Sequence, residues 1–184
     1  MRREKELNEE IILTSFKLHH MMEMRELMQE MKNDFSACSI VDAIHYSFLP
    51  VHDQHQNKED GSDECAAWLG EVPFVTSTVV FDPQQKDPKY LYGPSLLLRD
   101  ALRLQLPLEH AIDLGSQSPQ FVRGFCTYPL EDNIRAENYA HIKNFAEKEG
   151  YELCGKAAAR HIILEKVAGG GITYDEVLIP IRRK

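Results

Sequence analysis

Residues 173–184 read TYDEVLIPIRRK. Val177, Ile179 and Ile181 alternate with Glu176, Leu178 and Pro180, a period of two that predicts a β-strand closed by a basic tail. The alternation places Val177, Ile179 and Ile181 toward a core and Glu176 on the opposite face. The Glu176 carboxylate either reaches solvent at the start of the strand or sits beside a ligand pocket. If it is buried it needs a donor such as an arginine or a tyrosine hydroxyl, because an isolated buried charge is too costly. In the pocket reading, Glu176→Gln weakens a cationic or hydrogen-bond-donating ligand with little loss of fold.

Upstream of this strand, FVRGFCTY (121–128) predicts another, and PLEDN (129–133) a turn. Tyr139, Ile142, Phe145 and Ala146 share a helical face, with Asp132 or Asn133 as the cap and Gly150 as the stop. YELCGKAAARHIILEK (151–166) predicts a strand broken near Gly155, and VAGGGIT (167–173) a hairpin turn. The first half follows a similar scheme. SIVDAIHYSFLP (39–50) predicts one strand ending at Pro50, and VHDQHQNKEDGSDE (51–64) a polar loop. SDECAAWLG (62–70) predicts a short helix, VPFVTSTVVFD (72–82) and YLYGPSLLL (90–98) strands, and RDALRLQL (99–106) a short helix or extended piece. Each half thus gives strand, helix, strand, strand, which implies an α+β fold with two related halves.

Residues 4–33 predict one unbroken helix, about 45 Å long at 1.5 Å per residue. Its apolar residues form two rows. One is Leu7, Ile11, Leu18, Met21 and Met28, and the other is Leu13, Phe16, Met24, Leu27 and Met31. A stripe so wide must be covered, and a second copy of the helix in a two-stranded coiled coil is the expected cover. Thr14 and Arg25 at seam positions leave register and direction open. The methionines read as adaptable packing.

The chain of 184 residues suits one globular domain with an appendage. Its net charge of −8 is wrong for binding nucleic acid unaided. No apolar run approaches the ~20 residues that span a bilayer, and no signal peptide is visible. Cys38, Cys65, Cys126 and Cys154 lack CxxC spacing and read as free thiols of a cytoplasmic protein.

The order Tyr128, then Tyr139, Ile142 and Phe145, then Gly150, Tyr151 and Gly155, and finally EVLIPI (176–181) resembles the GyrI-like effector-binding domain of MerR-type and AraC-type transcription regulators. The likeness is good over about residues 120–181 and weaker over 38–106, where YSFLP, Trp68, PFV and Tyr92-Gly93 carry it. The resemblance implies two βαββ-type halves forming a sheet with a cleft, at 35–184, preceded by a dimerising helix at 1–34. It also implies transcription regulation through small aromatic or lipophilic molecules bound in the cleft, with neither cofactor nor metal. The glutamate that meets cationic drugs in multidrug-binding members falls near Ala159 here, so that carboxylate is missing. The DNA-binding winged helix is missing too, which predicts no DNA binding by this chain alone.

The candidate ligand-binding residues are Glu176, the aromatic residues Tyr46, Phe48, Trp68, Phe125 and Tyr128, and His161. Each aromatic also reads as core filling, and His161 as satisfied structure. His52 and His55, with Asp53 or Cys65, have only a weak metal spacing and read as solvated loop. Ala168–Gly171 reads as a turn, since no helix follows to make a phosphate cradle. The alternatives to a sensor are a stand-alone binder, an inhibitor of another protein, and a hydrolase pairing Glu176 as base with Tyr128 or Tyr174 as donor.

Overall fold

The final strand, Gly170–Arg183, lies inside the sheet, with Gln120–Pro129 on one side and Ala157–Val167 on the other. The computed structural model describes residues 2–53, 62–168 and 170–184. In chain order the elements are α1 (Arg2–Asn33), β1 (Ser39–Asp42), β2 (Tyr46–Phe48), β3 (His52–Asp53), α2 (Ser62–Leu69), β4 (Thr76–Phe81) and β5 (Leu91–Leu97). There follow α3 (Leu98–Arg103), β6 (Ile112–Asp113), β7 (Gln120–Pro129), α4 (Ala140–Lys148), β8 (Tyr151–Leu153), β9 (Ala157–Val167) and β10 (Gly170–Arg183). The sheet order is β1-β7-β10-β9-β4-β5-β2-β6, with β3 on β5 and β8 on β10.

Two βαββ units are visible in that order. In β2-α2-β4-β5 and in β7-α4-β9-β10 the third strand lies between the first and second. The units join along β4 and β9, antiparallel, with Val79 opposite Ala159 and Thr78 opposite Arg160. The fold is α+β, two βαββ-type halves in one antiparallel sheet behind a long N-terminal helix.

SIVDAIHYSFLP is not one strand. It is β1 and β2, which lie six strands apart in the sheet, β1 at one edge on β7 and β2 between β5 and the opposite edge strand β6. Residues 43–45 between them hand their backbone groups to other segments: Ala43 N–H donates to Pro119 O, and Leu98 N–H to His45 O. Six strand spacings would put β1 and β2 about 29 Å apart in a flat sheet. Four residue steps reach at most about 14 Å. The sheet therefore curls until its ends approach, without closing.

The curl buries both faces of β10. Val177, Ile179 and Ile181 pack with Val122, Tyr139, Ile142 and Ala146 beneath α4. Leu178 packs inside the curl with Phe48, Val80, Phe121 and Ala158. Gly124 lets α4 sit close, since a Cβ there would lie 2.7 Å from the Ile142 side chain. Helix α4 begins later than the sequence suggests, with Tyr139 at its N-cap position and no side-chain cap bond. The side chain of Asn133 is instead engaged by the Tyr92 hydroxyl. The turn before β10 is also tighter, since Gly170 and Gly171 already belong to the strand. Gly150, with φ of 83°, ends the helix region as expected.

The two rows of α1 have different fates. Leu27 and Met31 are buried against Phe125 and Ile162 of the chain's own sheet, flanked by Met24 and Met28. Phe16 packs near Trp68. Arg99 and Arg123 reach up to Glu23 and Glu30 of the helix. Leu7, Ile11, Leu18 and Met21 remain 50–65% exposed. No helix among the described residues is long and apolar enough to cross a membrane. The four cysteines form no disulfide.

Candidate functional site

Asp175 and Glu176 are consecutive on β10 and therefore point to opposite faces. Both are buried, 1% and 2% exposed. Each lies beside a hollow, and the two hollows differ in what already holds the carboxylate.

Glu176 faces the inside of the curl, under α1. Oε2 accepts from Arg160 Nε at 3.0 Å and Nη2 at 2.7 Å, and Oε1 lies 3.3 Å from Arg123 Nε. The Arg160 guanidinium also stacks on Tyr46, 4.7 Å from its ring centre. Burial alone would lower the Arg160 pKa, but the Glu176 charge and the hydrogen bonds to it hold the guanidinium above its usual range. A carboxylate clamped by two guanidiniums has little capacity left for a cationic ligand. Its first duty is to neutralise buried arginines.

Asp175 faces the other way, across the seam between the two halves. Oδ2 accepts from the Tyr128 hydroxyl at 2.7 Å, and Oδ1 lies 3.0 Å from His161 Nδ1. Burial first, and then the Asp175 charge, push the Tyr128 phenol far above its usual range, so Tyr128 remains a donor. With the carboxylate accepting at both oxygens, His161 carries its proton on Nδ1. Nε2 is then the nitrogen available to a ligand. These groups form one wall of a groove of about 300 Å³ that also takes in Ser77, Val79, Tyr92, Ala159 and Asn133. Ser77 and Tyr92 continue into an adjoining apolar hollow of about 310 Å³, lined by Val51, Cys65, Leu69 and Val75. The composite groove thus runs from α2 across β5, β4 and β9 to the 130–133 turn. Gly93 keeps β5 in place beneath it, because a Cβ there would lie 1.8 Å from the Leu49 carbonyl oxygen. A larger cavity, about 430 Å³, lies among charged side chains such as Lys86, Asp87, Glu131 and Arg135, and no buried carboxylate lines it.

The residues singled out from sequence divide between these places. Tyr128 and His161 line the groove, and Tyr46 and Glu176 line the cavity under α1. Phe48, Trp68 and Phe125 line neither. Phe48 and Trp68 are fully buried, and the Trp68 indole N–H donates to Pro107 O at 2.9 Å. Phe125 lies beneath α1 with Leu27 and Met31. All three serve packing, the default use of a large aromatic. The pairing of Glu176 with a tyrosine is also not assembled. Tyr128 is on the other face of the sheet, and the Tyr174 hydroxyl donates to Glu165. Asp175 was passed over by sequence reasoning, yet the signal was present: it shares the face of Val177 and Ile179, where a carboxylate must be buried. Ala159 does stand in the groove, and Asp175 on the neighbouring strand supplies a carboxylate to the same space. Among the described residues no group of three or more His, Cys, Asp or Glu is placed to hold a metal ion, and His55 lies outside those residues.

No family model matches the chain, and no curated protein matches it. Among solved structures, the chain is similar to one described as a hydrolase from Listeria innocua, with 11% sequence identity and a TM-score of 0.48, over 84% of this chain and 98% of that one.

Proposed function

We propose that the chain is the small-molecule effector-binding domain of a cytoplasmic, bacterial MerR-like transcription regulator, with its ligand in the groove across the β4–β9 seam. The carrying observation is the buried Asp175 carboxylate, held by Tyr128 and by a histidine with a nitrogen to spare, in a groove whose walls combine Val79, Tyr92, Leu130 and Ala159 with Ser77, Thr173 and the exposed polar residues 131–133. The apolar end of the composite groove at Val51, Cys65, Leu69 and Val75, with the polar end around Asp175, suits a small aromatic or lipophilic molecule that carries a hydrogen-bonding group at one end. His161 Nε2 accepts from a ligand hydroxyl or amine, and Tyr92 and Val79 offer flat contact area.

Helix α1 supplies the output in this reading. Its exposed row of Leu7, Ile11, Leu18 and Met21 suits a second copy of the helix, and its buried row ties it to the sheet. A ligand changes the helix only by binding one arrangement more tightly than another.

The test is isothermal titration with 1-naphthol, a neutral lipophile with one hydroxyl, and benzyltrimethylammonium, an aromatic cation. Saturable binding of at least one is expected. Ser77→Trp places a bulky ring at an exposed position shared by the two hollows and should abolish that binding without unfolding the chain. Equal affinity in wild type and Ser77→Trp would contradict the assignment.

A further inference from the structure

The second hollow lies between α1 and the inside of the curled sheet and measures about 320 Å³. Helix α1 contributes His20, Glu23, Met24 and Leu27 to it, and the sheet side contributes Tyr46, Arg123, Arg160 and Glu176. Part of its polar lining has no well-placed protein partner. His20 is 4% exposed, and neither ring nitrogen makes a hydrogen bond of good geometry, the Pro73 backbone offering only a weak acceptor. The nearest charged group, Glu23, stands 3.9 Å from its Nδ1, beyond bonding distance. Burial pushes the His20 pKa below the usual histidine value, so the ring is held neutral. Among the described residues nothing accepts from the Tyr46 hydroxyl, and the Arg160 bonds to Glu176 use Nε and Nη2 and leave Nη1 over. Buried polar groups are normally satisfied; the poorly bonded His20 ring, with the Tyr46 hydroxyl and Arg160 Nη1 open to the same hollow, calls for an occupant.

The unmet groups also define its chemistry. The Arg160 Nη1 and Tyr46 hydroxyl donate, and neutral His20 offers one donor and one acceptor. The carboxylates already present are committed. Glu176 is held by Arg160 and Arg123, and Glu23 accepts from Arg99 at 2.8 and 3.1 Å. Each guanidinium of the lining already has a carboxylate, Arg99 with Glu23, Arg160 with Glu176, and Arg123 with Glu176 and Glu30, so what the lining leaves over are hydrogen-bond donors rather than charge. A planar group with two acceptor oxygens, a carboxylate, matches the Arg160 Nη1 and Tyr46 hydroxyl donors and the planar fork of arginine. Met24, Leu27, Ile44 and Leu97 complete the wall and suit an apolar body. We infer that this hollow is a second binding site, separate from the groove, and that it takes a small monocarboxylate with an aromatic or aliphatic tail. Because the site has one wall on α1 and the other on the sheet, its occupant favours the state in which the helix is docked.

The experiment is isothermal titration of the full chain with phenylacetate and with octanoate, against phenylacetamide and inorganic phosphate. Both carboxylates should saturate, with the neutral amide and phosphate at least about tenfold weaker, as loss or mismatch of a charged hydrogen bond dictates. Tyr46→Phe retains the ring against Arg160 and removes only the hydroxyl. It should weaken carboxylate binding about three- to tenfold with no fall in the unfolding midpoint. Ser77→Trp should leave carboxylate binding unchanged, which separates this site from the groove. The inference is overturned if neither carboxylate saturates by about 10 mM. It is equally overturned if amide or phosphate binds as well as carboxylate, if Tyr46→Phe binds like wild type, or if Ser77→Trp abolishes binding.

Discussion

Asp175 and Glu176 are neighbours in sequence, are equally buried, and solve the same problem in different ways. Glu176 is neutralised by Arg160 and Arg123, permanent cations that belong to the packing of the curl and of α1. Asp175 is satisfied by a phenol and an imidazole at the edge of an open groove. The first arrangement is a clamp, since removing either side strands a buried charge. The second leaves one histidine nitrogen free and can accept a ligand without losing its own bonds. Burial alone therefore does not mark a functional carboxylate; the nature of its partners does.

The largest expected effect lies on the clamp. Glu176→Gln should cost about 3–5 kcal/mol of stability in urea unfolding, the range for breaking a buried pair by one partner. The double replacement Arg160→Met with Glu176→Leu removes both charges and should recover most of that loss. This reverses the expectation from sequence that Glu176→Gln leaves the fold intact. If Glu176→Gln unfolds at the wild-type midpoint, the clamp reading fails.

A smaller loss is expected on the groove side. Asp175→Asn retains an acceptor for Tyr128, and should cost about 1–3 kcal/mol. A cost above that of Glu176→Gln would invert the comparison.

How far the sequence revealed this contrast depends on the residue. The period of two in 176–181 gave the strand and the opposite facing of Glu176 and Val177, and the price of a buried charge anticipated an arginine partner. Local pattern could not show that the face of Glu176 is enclosed as well. That follows from the curl, which the short link between β1 and β2, six strands apart in the sheet, requires. Nothing within residues 39–50 announces that break, since both pieces are apolar and β-prone. Trp68 and Phe48 look alike whether they fill a core or line a pocket. Asp175 was legible from its phase in the alternation, since it shares the face of Val177 and Ile179. In α1 the two apolar rows were visible, while the sheet that covers one of them is remote in sequence.

The pH dependence of the clamp side is smaller again. His20 has a folded pKa below its ordinary 6.5, chiefly through burial. The unfolded chain therefore binds the proton more readily, and stability falls as pH drops below 6.5, levelling once the folded value is passed. His20→Leu should flatten that part of a stability–pH profile recorded by urea unfolding. An unaltered slope would show that His20 is not the group responsible.

The smallest effect on stability is expected on the exposed row of α1. Ile11→Glu with Leu18→Glu should leave the unfolding midpoint within about 0.5 kcal/mol of wild type. Light scattering should nevertheless find the variant monomeric where the wild type is dimeric. Leu27→Ala, on the covered row, should instead cost about 2–4 kcal/mol. A wild type that is monomeric at tens of micromolar would refute the helix-mediated dimer.

The most direct test of the division of labour is the affinity for 1-naphthol, measured by titration calorimetry in three proteins: wild type, Asp175→Asn, and the Arg160→Met/Glu176→Leu double variant. If the Asp175 groove is the ligand site, the double variant binds like wild type. Asp175→Asn then binds about tenfold more weakly, because His161 loses the partner that fixes its tautomer. Binding lost in the double variant and retained in Asp175→Asn would contradict the account and return the ligand to Glu176.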